Sequence, residues 1–218
     1  CRHGAYRGDG AFGQYCVVLP EHNAVLAITG GLPDMQIPLT LVWDILLPGM
    51  QAASQPDNPV AQDKLTEKLS TLKLPTVQGQ PTSPVTAQIH RQKYRVSPNG
   101  LHIETVAFDF APSGNNVTFQ TATGEQSVPC GYGLWQHSQT TLFTGEDSIS
   151  PLVAASGAWT SDDTFTIVLQ LYETPFAHTL VFHFAGSELM IESRVNVGFD
   201  PIKTQRLTAH ALYIERDI

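Results

Sequence analysis

Cysteine is scarce: Cys1, Cys16 and Cys130 are the only three in 218 residues. Thiols so few and so widely spread exclude a disulfide framework and a CxxC metal site. They favour a reducing compartment, cytoplasmic in preference to periplasmic. Positive charge is also short, with 12 Lys and Arg against 20 Asp and Glu for a net charge of −8. The basic residues are scattered, so no electrostatic footprint for nucleic acid or an anionic membrane surface is present. No apolar run approaches the roughly 20 residues that a membrane helix requires. The chain opens with Cys-Arg-His-Gly, without an initiator Met or an apolar leader, and is expected to be a fragment or processed product. Charged residues make up only 15% and apolar residues 42%, a balance that excludes general disorder and supplies a core.

Catalytic signatures are equally thin. The chain has no Gly-x-Ser-x-Gly elbow and no Walker loop. Eight histidines include no pair at zinc spacing with supporting ligands, and neither metal nor cofactor is expected. His178 and His183 stand five apart on one candidate strand and so face opposite sides. Gly8-Asp9-Gly10-Ala11-Phe12-Gly13 matches G-x-G-x-x-G. A dinucleotide site needs a buried strand before that motif and a helix after it, and here Arg and His precede it and a strand follows. Arg7-Gly8-Asp9 is a tripeptide too short to carry weight. Ser70-Thr71-Leu72-Lys73 falls at a helix end, and Ser97-Pro98-Asn99 has a sufficient explanation as a turn.

What is present divides the chain in three. Residues 1–50 read as a hairpin and a helix: a Gly-rich lead-in, a strand from Phe12 to Leu19, a Pro-Glu-His-Asn turn, and a strand from Ala24 to Thr29. The helix runs from about Asp34, its N-cap, to Leu47, with Leu39, Val42, Trp43 and Leu46 on one face and Pro48-Gly49 as its stop. Residues 51–85 read as a linker containing one helix, Pro59 to Lys73, capped by Asn58 and striped by Ala61, Leu65, Leu69 and Leu72. From residue 86 to 218 short alternating runs are separated by turn residues. Strands are expected at 88–96, 101–110, 116–121, 126–130, 152–160, 164–172, 178–184, 188–195 and 206–214. Strands at about ten-residue spacing with no helix between them predict an antiparallel barrel or sandwich, barrel by preference. Its aromatics, among them Phe108, Phe110, Phe119, Trp159, Phe165, Phe182 and Phe184, are read first as core packing. The fold class is therefore mainly β with a minor α part.

The stretch Gly8-Asp9-Gly10-Ala11-Phe12-Gly13, the returning strand and the following helix resemble the close of the serine β-lactamase and penicillin-binding-protein-like hydrolase domain. The order Trp159, Thr164–Tyr172, Phe176, Leu180–Phe184 and Leu189–Ile191 resembles the lipocalin-like accessory domains that follow such hydrolases. The first resemblance implies that Gly8, Asp9 and Gly10 border a substrate and that the Ala11 backbone N–H is an oxyanion donor. Gly8 stands where that family has Lys or His, so the usual carboxylate anchor is missing at that position, and His3 and Arg7 are the nearby cations that would have to replace it. The nucleophile and base would lie upstream of Cys1.

The function expected on that basis is a C-terminal fragment of a serine hydrolase acting by acyl transfer on an ester or amide. The fragment would be inert alone, and it would pair with the missing upstream catalytic portion or with a second copy of the chain. The alternative is a non-catalytic lipocalin-like barrel that binds a small apolar ligand or a protein partner.

Overall fold

The computed structural model describes residues 4–51, 56–111, 114–143 and 151–212. It falls into two compact units, Cys1–Pro75 and Thr76–Ile218.

The first unit contains three short antiparallel strands, β1 (Tyr6–Gly10), β2 (Gln14–Leu19) and β3 (Ala24–Ile28), in the order β1-β2-β3. The Gly-rich stretch is itself a strand, not a lead-in to one. The chain turns at Ala11-Phe12-Gly13, where Phe12 and Gly13 take φ of 62° and 86°. A left-handed bend at Phe12 breaks the expected run from Phe12 to Leu19. Tyr15, Val17 and Leu19 are buried on one side of β2, against a helix that starts at Gln36–Leu41 (α1). The N-cap is Met35, without a side-chain bond, and not the expected Asp34, which stands one residue earlier and accepts the Gln36 N–H at 2.9 Å. Leu39, Val42 and Trp43 are buried as the periodicity predicts, but Leu46 is exposed and Leu47 packs on the core in its place. The cause is a π-helical turn over Val42–Leu46, which adds a residue and moves the apolar stripe forward by one position.

Helix α2 (Pro59–Ser70) is capped by Asn58, whose side chain accepts the Ala61 N–H at 3.0 Å. It ends three residues before the expected Lys73. The Ser70 and Thr71 hydroxyls both donate to the Glu67 carbonyl, at 2.9 and 3.1 Å, competing with the next helical bonds. None of its residues is buried.

The second unit is a 10-stranded antiparallel sheet. Its strands are β4 (Lys93–Val96), β5 (Ile103–Ala111), β6 (Gly114–Thr121), β7 (Gly124–Cys130), β8 (Gln136–Gln139), β9 (Leu152–Ser161), β10 (Thr164–Gln170), β11 (Ala177–Ala185), β12 (Glu188–Val195) and β13 (Gln205–Ala211). Each strand pairs with its neighbour in sequence except β7 with β8. The first and last strands pair, β4 with β13, which brings the meander round on itself. Between β7 and β8 the ladder is interrupted, and there Gly131 forms a single parallel bridge to Ser156 on β9. The result is a near-closed up-and-down barrel.

Small residues make that closure possible. Val153 to Trp159 are all buried, because one face of β9 looks into the barrel and the other lies under residues 76–83. Gln80 pairs with Trp159 through two backbone bonds of 2.7 and 2.9 Å, the Val77 N–H donates to Ser156 Oγ, and Ser83 Oγ donates to the Asp162 carbonyl. The run Ala154-Ala155-Ser156-Gly157-Ala158 is what a strand covered on both sides can accommodate. A Cβ on Gly157 would sit 2.8 Å from Phe165, and one on Gly79 would collide with the Trp159 carbonyl.

Two sequence expectations shift here. The predicted strand at 88–96 begins as a short helix, α3 (Thr86–Ile89), and strand pairing starts only at Lys93 after a left-handed Arg91. Ile89 is buried in the barrel core and draws the helix across one end. Strand β8, Gln-His-Ser-Gln, was not expected: it has no apolar alternation, and its pairing with β9 alone defines it.

Candidate functional site

Alternate residues on the strands point inward, and the interior they make is aromatic. Phe108 stands at its centre. Its ring centroid lies 5.0 Å from Phe182, 5.1 Å from Phe184, 5.8 Å from Phe110 and 6.1 Å from Tyr94, mostly edge to face. Phe119, Phe165 and Trp159 complete the packing and are less than 2% exposed. Contacts of this kind contribute about 0.5–1.5 kcal/mol each beyond simple burial. At the level of Phe108 the protein's own side chains occupy the barrel.

The two ends differ. At the Phe184 end of β11, Phe110 is only half-buried, 5.2 Å from Trp159 and 5.0 Å from Phe165. Above it opens a cavity of about 390 Å³, lined by Phe110, Ala111, Asn115, Tyr132, Pro81, Thr82 and Thr86 among others. Tyr132 donates its hydroxyl to the Gly79 carbonyl at 3.2 Å, which holds its ring at the rim. Helix α3 is tied to the same end because His90 Nδ1 accepts the Phe110 N–H at 3.2 Å. An Asp109 carboxylate oxygen lies 3.4 Å from the same nitrogen. The indole N–H of Trp159 is buried and has no hydrogen-bond partner among the described residues, an arrangement that costs about 1–3 kcal/mol.

At the opposite end, His178 lies next to Leu169 in register, on the inward face of β11. Phe143 stacks flat upon it, with centroids 3.8 Å apart and planes at 4°. Burial pushes the His178 pKa down to about 4. On the neighbouring wall, Gln126 Oε1 accepts from Thr140 Oγ1 at 3.1 Å and from the Thr141 N–H at 3.0 Å. This side chain thereby bridges β7 to the segment after β8, where the sheet itself is interrupted.

The sequence-predicted site residues fall elsewhere, on the hairpin of the first unit. Gly8 and Asp9 are exposed on the edge strand β1, and Gly10 precedes the turn that holds Ala11. Arg7 grips the Asp9 carboxylate with two bonds of 2.7 and 3.1 Å. A Cβ at Gly10 would meet Gln14 Cβ at 2.9 Å, so this glycine serves the narrow approach of β1 to β2. The structure brings these four residues together as a hairpin. Sequence reasoning missed the end-of-barrel cavity, whose lining comes from residues 81–132 and has no motif; only the aromatic count hinted at it. Cys130 is a buried free thiol, its pKa raised to about 12 by burial. Among the described residues no three His, Cys, Asp or Glu side chains gather as metal ligands, and no helix is long and apolar enough to cross a membrane.

The second unit is thus an antiparallel, near-closed β-barrel. No family model matches the chain, and no curated protein does. Among solved structures it is similar to the fatty acid-binding protein of Drosophila melanogaster brain, at 11% identity and a TM-score of 0.43, covering 56% of this chain and 99% of that one. It is similar also to a Schistosoma mansoni fatty acid binding protein in complex with arachidonic acid (16%, TM-score 0.40, 70% and 87% covered). A third is a secretory abundant heat soluble protein from Ramazzottius varieornatus (7%, TM-score 0.40, 62% and 98% covered). The likeness lies in barrel architecture. Two of these neighbours are named fatty acid-binding proteins and none is named a hydrolase, which corrects the expectation of a serine β-lactamase-like hydrolase fragment. The roles given to Gly8, Asp9, Gly10 and Ala11 rested on that resemblance, as did the ester or amide substrate and the upstream catalytic partner.

Proposed function

We propose that the barrel is a non-catalytic binding module for a small, ring-sized apolar ligand, taken at the Phe184 end and not along the barrel axis. The observation that carries this reading is the cavity of about 390 Å³ floored by Phe110 and rimmed by Tyr132. That volume lies in the range of small-molecule sites, about 300–1,000 Å³, and its mix of aromatic floor with a few hydroxyls and an amide is the lining such sites use. A long acyl chain threaded through the centre would have to displace Phe108 and the four rings packed on it.

Titration with 1-anilinonaphthalene-8-sulfonate tests the reading. One dye is expected to bind per barrel with enhanced emission, and Thr82→Trp, which fills the cavity from an exposed position, is expected to abolish binding while leaving thermal stability unchanged. Binding that persists in Thr82→Trp would place the ligand elsewhere and overturn the proposal.

A further inference from the structure

The outer face of the barrel carries a histidine whose proton is fixed by its neighbours. Asp163, in the turn between β9 and β10, accepts from Ser161 Oγ at 2.8 Å and from Thr164 Oγ1 at 2.9 Å. These two bonds hold its carboxyl below the usual carboxylate range. Thr164 has a single hydroxyl proton, and that proton is committed to Asp163. Toward His183 Nδ1, 3.1 Å away, the same oxygen can only accept. Nδ1 therefore carries the ring proton, and in the neutral imidazole Nε2 is left with its lone pair. Orientation of one ring nitrogen through a hydroxyl-carboxylate relay is the arrangement that prepares the other nitrogen as a ligand.

The strand register supplies a second donor. Phe182 and Phe184 are buried inward, so His183 points outward. Directly opposite it on β12 stands Met190, which is 37% exposed. Facing residues on adjacent antiparallel strands have Cβ atoms about 4.5–5.5 Å apart, close enough for an imidazole nitrogen and a thioether sulfur to share one ion. Thr208, the next residue across on β13, is too hard and too weakly acidic a group to add a bond to a soft ion. The chemistry of the pair is selective: a thioether with one imidazole suits a soft monovalent cation, which accepts two ligands, and suits zinc, calcium or magnesium poorly.

We infer that His183 Nε2 and Met190 Sδ form a surface site for a soft monovalent cation of the Cu(I) and Ag(I) class, with Thr164 and Asp163 as positioning residues. The site is independent of the ligand cavity proposed above.

The test uses the full chain carrying Cys1→Ser and Cys16→Ser, since a free thiol competes for soft cations, with methyl-labelled methionine and ¹⁵N-labelled histidine in chloride-free buffer. On titration with silver nitrate, the first equivalent is expected to shift the Met190 methyl and the His183 Nε2 resonances while Met35 and Met50 stay in place. Met190→Leu should remove the His183 response. Thr164→Val should weaken binding about tenfold, with Thr164→Ser restoring it. No shift at Met190 up to millimolar silver, or equal shifts at all three methionines, would overturn the site. Unchanged affinity in Thr164→Val would overturn the positioning role.

Discussion

His178 shows how one residue reports its surroundings. It is a strand residue whose inward face was fixed by register, and burial under Phe143 lowers its pKa from 6.5 to about 4. The unfolded chain then binds a proton between those two values that the folded chain refuses. Stability is therefore complete above pH 6.5 and falls as the pH drops toward 4, by an amount on the order of 2 kcal/mol. Urea unfolding midpoints measured from pH 7.5 to 4 should show this decline, and His178→Phe should flatten it. An identical slope in the variant would assign the loss to carboxylates elsewhere. At the same scale, Gly157 exists for what it lacks. Gly157→Ala places a methyl against Phe165 and Ile167 and is expected to cost about 1–3 kcal/mol of overpacking, read from the chemical denaturation midpoint.

Elements were legible where a local rule has no competitor. Asn58-Pro59 announced the start of α2, and the Asn58 side chain caps it as expected. Asn58→Ala should cost about 1 kcal/mol of local helix stability, visible as faster amide exchange over Ala61–Lys64 with no change in the barrel. The register of the first helix was not legible past Trp43, because the π-helical turn at Val42–Leu46 is a choice made by packing on β2 and has no composition of its own. Strand β8 was invisible for a related reason. Its four polar residues become a strand only because β9 offers an unpaired edge. In the Gly-rich hairpin, the resemblance to β-lactamase-like hydrolases implied a substrate-facing edge; in the structure Gly10 and Gly13 serve the close approach and the turn between β1 and β2.

The whole molecule consists of two compact units with separate cores, one around Val17, Leu39 and Trp43 and the other around Phe108 and its ring partners. Each core is closed by its own backbone hydrogen bonds. Residues 76–218 produced alone are expected to fold, with one cooperative transition by near-ultraviolet circular dichroism and the same His178-dependent acid sensitivity. A molten product without fixed aromatic signals would show that the first unit is required for the second.

Periodicity and turn chemistry determined the β-rich class, the spacing of most strands and the aromatic identity of the core. These properties are written in neighbours a few residues apart, and local sterics and burial enforce them. The sequence also proposed a hydrolase remnant, because a glycine-rich strand edge looks alike whether it borders a substrate or another strand. Tertiary structure decided the rest: the pairing of β4 with β13, the seam bridged by Gly131 and Gln126, the cavity over Phe110, and the relay that fixes the proton of His183. Each joins residues more than a dozen positions apart, and the free energy that selects them arises only when the barrel has brought them into contact.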